Sequence, residues 1–199
     1  MRLWPQRTWK KIVLVFFLAL FVVVAALISA YAFVSLVIYP NINRDVVSGV
    51  DVINAGGSKT ALVVYQPGYT SFPRDVSYAF ADGLASSGWR VEITTASSQA
   101  PSELSGYSLL VLGFPIYGGK PADAIVRYVN GTSNLNGIST VIIAVGAFSP
   151  GEVLNTMTQK VHAANGTVKE SMALFSIAPN KGNGYATDIA RQAGSQIAP

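Results

Sequence analysis

Between Ile12 and Tyr39 the chain runs for 28 residues without a charge, every one apolar, aromatic or a small serine. A helix of that length extends about 40 Å, more than the ~30 Å hydrocarbon core of a bilayer requires. Residues 12–39 therefore read as a transmembrane helix. Ala30-Tyr31-Ala32 has the form of a signal-cleavage site, but the apolar part of a signal peptide is only about 7–15 residues long. Here the run continues past Ala32 through Phe33, Val34, Leu36, Val37 and Ile38, so the expectation is an uncleaved, single-pass anchor. Arg2, Arg7, Lys10 and Lys11 crowd residues 1–11, whereas only Arg44 and Lys59 lie in the twenty residues after the run. That imbalance places a basic N-terminus in the cytoplasm and the rest of the chain outside. Trp4, Trp9 and Tyr39 sit where interfacial aromatics are expected, with Tyr31 deeper in the run. The sequons at Asn130 and Asn165 agree with an exterior domain, and a chain rich in asparagine, serine and threonine also produces such triplets by chance.

The 199 residues leave room for one good-sized domain beyond the anchor. With no cysteine, disulfides, thiolate zinc sites, iron–sulfur clusters and thiol nucleophiles are excluded. The net charge of +4 owes much to the basic N-terminus. No basic stripe remains elsewhere, so nucleic acid is not an expected partner.

Residues 40–59 lack a sustained period and read as a linker with a short extended piece at Val50 to Ile53. From residue 60 to 199 the pattern becomes regular. Apolar strands are expected at Ala61 to Tyr65, Arg90 to Thr95, Ser108 to Gly113, Thr140 to Val145 and within Val168 to Ile177. Helices alternate with them. Pro73 to Ser87 buries Val76, Phe80, Gly83 and Leu84, and Gly88 stops it. The next helix starts at Pro121, with Ala122, Ile125, Val126 and Val129 inward; another spans Pro150 to Ala164 with Leu154, Met157 and Val161 inward. The last begins near Gly184 and places Ala186, Ile189, Ala190, Ala193 and Ile197 on one face. Ser149-Pro150-Gly151-Glu152 reads as a capping box. Strands alternating with helices imply right-handed crossovers and a parallel sheet covered on both faces, an α/β domain in three layers.

Ligands of open α/β sheets bind at the C-terminal ends of the strands. The segment Val111 to Pro121, V-L-G-F-P-I-Y-G-G-K-P, is the most distinctive of these ends. Tyr117 stands between Ile116 and Gly118-Gly119, either as a planar surface for a planar ligand or as an exposed tyrosine on a rigid turn. His162, the only histidine, reads as a surface residue, and Asp75, Asp82, Asp123 and Glu152 as solvated faces or caps. Asp188 reads as a partner of the last helix's dipole. Gly182-Asn183-Gly184 is a flexible loop, too short a signal for a phosphate site, and Ser149 has no nucleophile-elbow context.

The strand–loop–helix from Ala61, the L-L-V-L-G-F-P-I-Y-G-G-K-P segment and the five-unit order resemble the flavodoxin-like family over about Lys59 to the end. The resemblance implies a doubly wound five-stranded parallel sheet of order 2-1-3-4-5 and FMN at its C-terminal edge. It implies that the loop after the first strand holds the phosphate, through Gly68, Thr70 and Ser71, with Arg74 nearby. Pro115, Tyr117 and Gly118 match the second loop, with Tyr117 as the stacking aromatic, and Gly146 and Phe148 belong to the third. The first loop, Gln66-Pro67-Gly68-Tyr69-Thr70-Ser71-Phe72-Pro73, departs from the family's T/S-x-T-G-x-T. Ser71 falls on the glycine position, and Phe72 and Pro73 replace the polar end.

The resemblance implies a membrane-anchored electron carrier holding FMN, with the bilayer and a membrane redox partner as its associates. Two alternatives stay open. One is an FMN-dependent NAD(P)H:quinone-type reductase, which suits a membrane but places an exterior domain out of reach of cytoplasmic NAD(P)H. The other is a flavin-free binding or assembly module of the same fold.

Overall fold

The computed structural model describes residues 6–42, 44–132, 134–180, 182 and 184–199. The readings of Arg2, Trp4 and Asn183 lie outside the described residues. Two compact units emerge, Met1–Asn41 and Ile42–Pro199.

In the first unit, α1 (Gln6–Phe33) passes through a π-helical turn, Val34–Ile38, into the short α2 (Tyr39–Ile42). The stretch Thr8–Val37 is long and apolar enough to cross a membrane, with none of its apolar window buried. Ser29 donates its hydroxyl to the Ala25 carbonyl at 2.8 Å, so a polar group inside the apolar run is satisfied within the helix.

The second unit is built on one sheet. Its parallel strands are β2 (Thr60–Tyr65), β3 (Arg90–Thr95), β4 (Leu109–Tyr117), β6 (Ser139–Gly146) and β7 (Thr167–Phe175). They lie in the order β3-β2-β4-β6-β7, which is the expected 2-1-3-4-5. Two short strands were not anticipated as members of the sheet. The first, β1 (Asp51–Ile53), pairs antiparallel with β3, Asp51 opposite Ile93 and Ile53 opposite Val91. The second, β5 (Lys120–Pro121), folds back on β4. Residues 44–50, read as linker, are also held on the domain: Asp45 accepts from the Ser98 hydroxyl at 2.7 Å, and the Ser48 N–H donates to Thr95 Oγ1 at 3.1 Å.

Alternate residues of each strand feed opposite faces, which is why the strands read as continuous apolar runs. Ala61, Val63, Val91, Val111, Val141 and Ile143 face α3 (Phe72–Ser86) and α6 (Ala186–Ser195). Leu62, Val64, Leu110, Leu112, Phe114 and Ile142 face α4 (Asp123–Gly131) and α5 (Val153–Ala163).

Two helix starts differ from the sequence reading. Pro121 is not the first residue of a helix; it is buried in β5, and α4 begins at Asp123 with Ala122 before it. The strand β4 outlasts Gly113 because β6 continues to pair with it up to Pro115 opposite Val145. A capping box at Ser149 does not form either. Helix α5 starts at Val153 without a side-chain cap, Ser149 Oγ accepts from the Gly151 N–H at 3.3 Å, and Glu152 instead accepts from Asn155 at 2.7 Å. Gly151 adopts a left-handed φ of 51°, so the chain is still in a turn there and the N-cap position falls on Glu152 rather than Ser149.

Helices α3 and α6 cross at two glycines. A Cβ on Gly83 would lie 2.1 Å from the Arg191 carbonyl oxygen, and one on Gly194 would lie 2.3 Å from that of Phe80. Backbone cannot yield as a flexible side chain can. Gly83→Ala is therefore expected to cost about 3 kcal/mol by forcing the helices apart. Denaturant titration in detergent, followed by near-ultraviolet circular dichroism, measures it.

Candidate functional site: the strand-end crevice

The first loop leaves β2 at Gln66, whose N–H donates to Gly113 O at 2.8 Å. Gly113 has no Cβ for a reason: one there would sit 2.5 Å from Ser77 Oγ. That hydroxyl, buried, donates to the Pro73 carbonyl one turn back in α3 at 2.7 Å, and the missing Cβ of Gly113 lets this helix pack close on β4. The loop's start is thus anchored to the central strand.

The second loop is a two-residue hairpin. Tyr117 pairs with Lys120, and Gly118 and Gly119 between them have φ of 57 and 73. Positive φ at both central positions is the primed turn that suits the twist of two strands, and Gly-Gly adopts it without strain. No atom lies within 4 Å of where a Cβ would stand on either glycine, so this side of the turn is open.

Tyr117 is half-buried rather than a free platform. Its hydroxyl accepts the Tyr69 N–H at 3.2 Å, which ties the second loop to the first. A Cβ on Gly68 would lie 2.9 Å from that hydroxyl and 2.8 Å from Pro73 Cγ, so glycine is needed where the two loops meet. Burial raises the Tyr117 phenol above its usual value, the Tyr69 N–H partly opposing this.

Pro115 is buried inside β4, beyond the last residue that β2 pairs with it. A missing N–H is tolerable there. Gly146 closes β6, and its carbonyl accepts the Ser176 N–H at 2.9 Å. Phe148, in the third loop, is 63% exposed. Tyr117, Gly118, Gly146 and Phe148 thus lie at the C-terminal ends of two adjacent strands, as the sequence reading placed them.

Thr70 and Ser71 are exposed but turned to local partners. Ser71 donates its hydroxyl to Asp75 at 2.6 Å, and Thr70 Oγ1 accepts the Phe72 N–H at 3.4 Å. Arg74 is drawn along α3, its guanidinium 5.2 Å from the centre of the Tyr78 ring. Of these, the contacts four residues apart, Ser71 with Asp75 and Arg74 with Tyr78, have the spacing that brings side chains together along a helix.

Beside the loop lies a group that the sequence reading missed. Tyr65 and Tyr78 meet edge to face with centroids 6.0 Å apart, and the Tyr78 hydroxyl donates to the Asp51 carboxylate. Asp51 comes from β1, far away in sequence, so no spacing announced it. On the same edge a cavity of ≈ 450 Å³ opens between Phe72, Phe175, Pro179 and Tyr185.

Toward the planar ring of an FMN, the strand ends offer aromatic side chains, the half-buried Tyr117 beside the open Gly118-Gly119 turn and the exposed Phe148. The phosphate half fits less well: the Ser71 hydroxyl is given to Asp75, whose carboxylate stands in the first turn of α3, while the Thr70 hydroxyl accepts from Phe72 and keeps its own proton to donate.

With that geometry in place, the solved structures most like this domain can be considered. A flavodoxin from the domain Archaea superposes with TM-score 0.57 at 18% identity, covering 70% of this chain and 96% of its own. Megasphaera elsdenii flavodoxin gives 0.57 at 16%, covering 69% and 99%. An NAD(P)H:quinone oxidoreductase from Methanothermobacter marburgensis gives 0.50 at 12%, covering 71% and 97%. No family model and no curated protein matches the chain. The domain has a flavodoxin-like fold.

Desolvation and the Asp51 hydrogen bond raise Tyr78 to about 12, against an ordinary 10.0. Its neutral form is favoured in the folded state, so unfolded chain gives up this proton first. The stability contributed is fully present below pH 10 and is lost as pH rises towards 12. Tyr78→Phe is expected to flatten that fall, measured by unfolding at a series of alkaline pH values.

Proposed function

We propose that this chain is a membrane-anchored flavodoxin-fold protein whose crevice holds a flavin by its ring system and passes electrons at the membrane surface. The observation that carries the reading is the second loop: Tyr117, oriented by its bond to Tyr69, beside a Gly118-Gly119 turn open to a ring. A flavin supplies one- and two-electron chemistry when bound, and the protein supplies position and electrostatics. Tyr117 and Phe148 provide aromatic surface, while the apolar ends of β4 and β6 limit water from beneath. No acid–base side chain is required of the protein.

The apolar stretch Thr8–Val37 supports the anchor. The basic residues before it support a cytoplasmic N-terminus and an exterior domain, with a membrane-bound electron donor or acceptor as partner. The quinone-reductase reading draws on a neighbour of that activity and needs a source of NAD(P)H on the domain's side. A flavin-free binding module is favoured by a different observation, the first loop closed on its own residues.

The full chain, purified in detergent with added riboflavin and FMN and then desalted, is expected to retain oxidised-flavin absorption bands. Tyr117→Ala is expected to lose them by at least about tenfold in affinity, since removing an aromatic wall exposes the ring to water. A folded but colourless protein that shows no flavin titration would sink the redox reading and leave the binding module.

A further inference from the structure

The exposed aromatic side chains of the domain are not spread over its surface. Among the described residues from 44 onward they are Tyr69, Phe148 and Tyr185, and Ile177 joins them, each more than half exposed. Tyr69 follows β2, Phe148 follows β6, Ile177 follows β7 and Tyr185 precedes α6, so all four stand at the C-terminal edge of the sheet. The Ala178 N–H donates to the Ala147 carbonyl at 2.9 Å, which holds Phe148 and Ile177 on adjoining loops. At the opposite edge the turns around Asn54, Ser105, Asn136 and Asn165 expose asparagine, serine and glycine, and no large apolar side chain among the described residues. The remaining exposed aliphatics, Val47, Val50 and Val52, lie on the segment that leads into β1.

A second observation concerns where the chain enters the domain. Asp45 accepts from the Ser98 N–H at 3.2 Å, the Thr95 hydroxyl donates to the Val46 carbonyl, and the Ser48 N–H donates to Thr95. Thr95 ends β3, so residues 45–48 are fastened at the same C-terminal edge. The apolar stretch that can cross a membrane ends at Val37. From there to Asp45 the chain passes through α2 and reaches roughly 18 Å, less than half the roughly 40 Å breadth of a domain this size. So short a tether keeps the edge it enters near the bilayer.

We propose that the C-terminal edge of the sheet rests on the lipid bilayer, with Tyr69, Phe148, Ile177 and Tyr185 seated among the headgroups. The proposal rests on the membrane reading of Thr8–Val37 and is independent of flavin binding. Tyrosine is favoured at a membrane interface, where its apolar body and polar tip are both satisfied. Phe148 and Ile177 withdraw apolar surface from water there. Charge does not drive the contact: Asp75, Glu152 and Asp188 stand exposed at this edge with Arg74 and Lys120. The surface it fits is therefore zwitterionic lipid rather than a strongly anionic one.

The chain has no cysteine, so a single introduced thiol can carry a fluorophore. The full chain is placed in phosphatidylcholine nanodiscs that include a lipid spin-labelled at its headgroup. A fluorophore at Phe148→Cys or Tyr185→Cys is expected to be quenched about threefold more than one at Ser105→Cys, because interfacial groups seat about 5–10 Å into the headgroup boundary. With the fluorophore at Ile177→Cys, adding Phe148→Glu and Tyr185→Glu together is expected to lower quenching to the Ser105 level. Circular dichroism checks that each variant is folded. Equal quenching at the two edges, or no response to the glutamate pair, would overturn the proposal while leaving the anchor intact. A full chain that stays out of the nanodisc fraction removes the membrane reading itself, and this proposal with it.

Discussion

Strand β4 is the member on which the rest of the domain depends. It pairs with β2 on one side and β6 on the other, and its residues Leu109 to Phe114 are covered on both faces. A strand so placed can have no polar side chain except at its ends, and it must keep its hydrogen bonds on both sides. Those demands decide where function can lie. Polar chemistry and ligand contact are pushed to the C-terminal end, where β2 stops at Tyr65 and β4 continues alone against β6. A step is left between the two strand ends. Gly113 lies at that step, where its missing side chain admits the Ser77 hydroxyl and its carbonyl takes the Gln66 N–H at the start of the first loop.

Much of this was legible in the sequence, and what was not has identifiable causes. The five parallel strands came from apolar runs of strand length, and β3 matched its expected bounds because Val91 and Ile93 alternate with polar residues. The sheet's order followed from the resemblance rather than from any pattern. The extension of β4 through Pro115 was missed because proline and glycine are turn signals in isolation, and only the partner strand shows that this proline needs no N–H. Pro121 fitted the start of a helix equally well on composition. It became a strand residue because the Gly118-Gly119 turn reverses the chain two residues earlier.

The site residues divide in the same way. Tyr117, Gly118, Gly146 and Phe148 were placed by their position after apolar strands, a local signal. Their couplings were not local. Tyr69 lies 48 residues from Tyr117, and Asp51 lies 27 from Tyr78. A sequence names the residues at a strand end but not which hydroxyl will be satisfied by which neighbour. Those choices depend on a fraction of an ångström of approach, set here by Gly68, whose missing side chain leaves room for both Pro73 and the tyrosine oxygen.

Tyr117 shows how the strand end is braced: a side chain beside a two-glycine turn is held at both ends, by its strand and by the Tyr69 N–H. Bracing of this kind is done on folding, so a surface ordered in this way loses less entropy when anything settles against it than a free side chain would. The same contact also couples two loops that lie 48 residues apart in sequence, so a change at Gly68 or Tyr69 is felt at the end of β4.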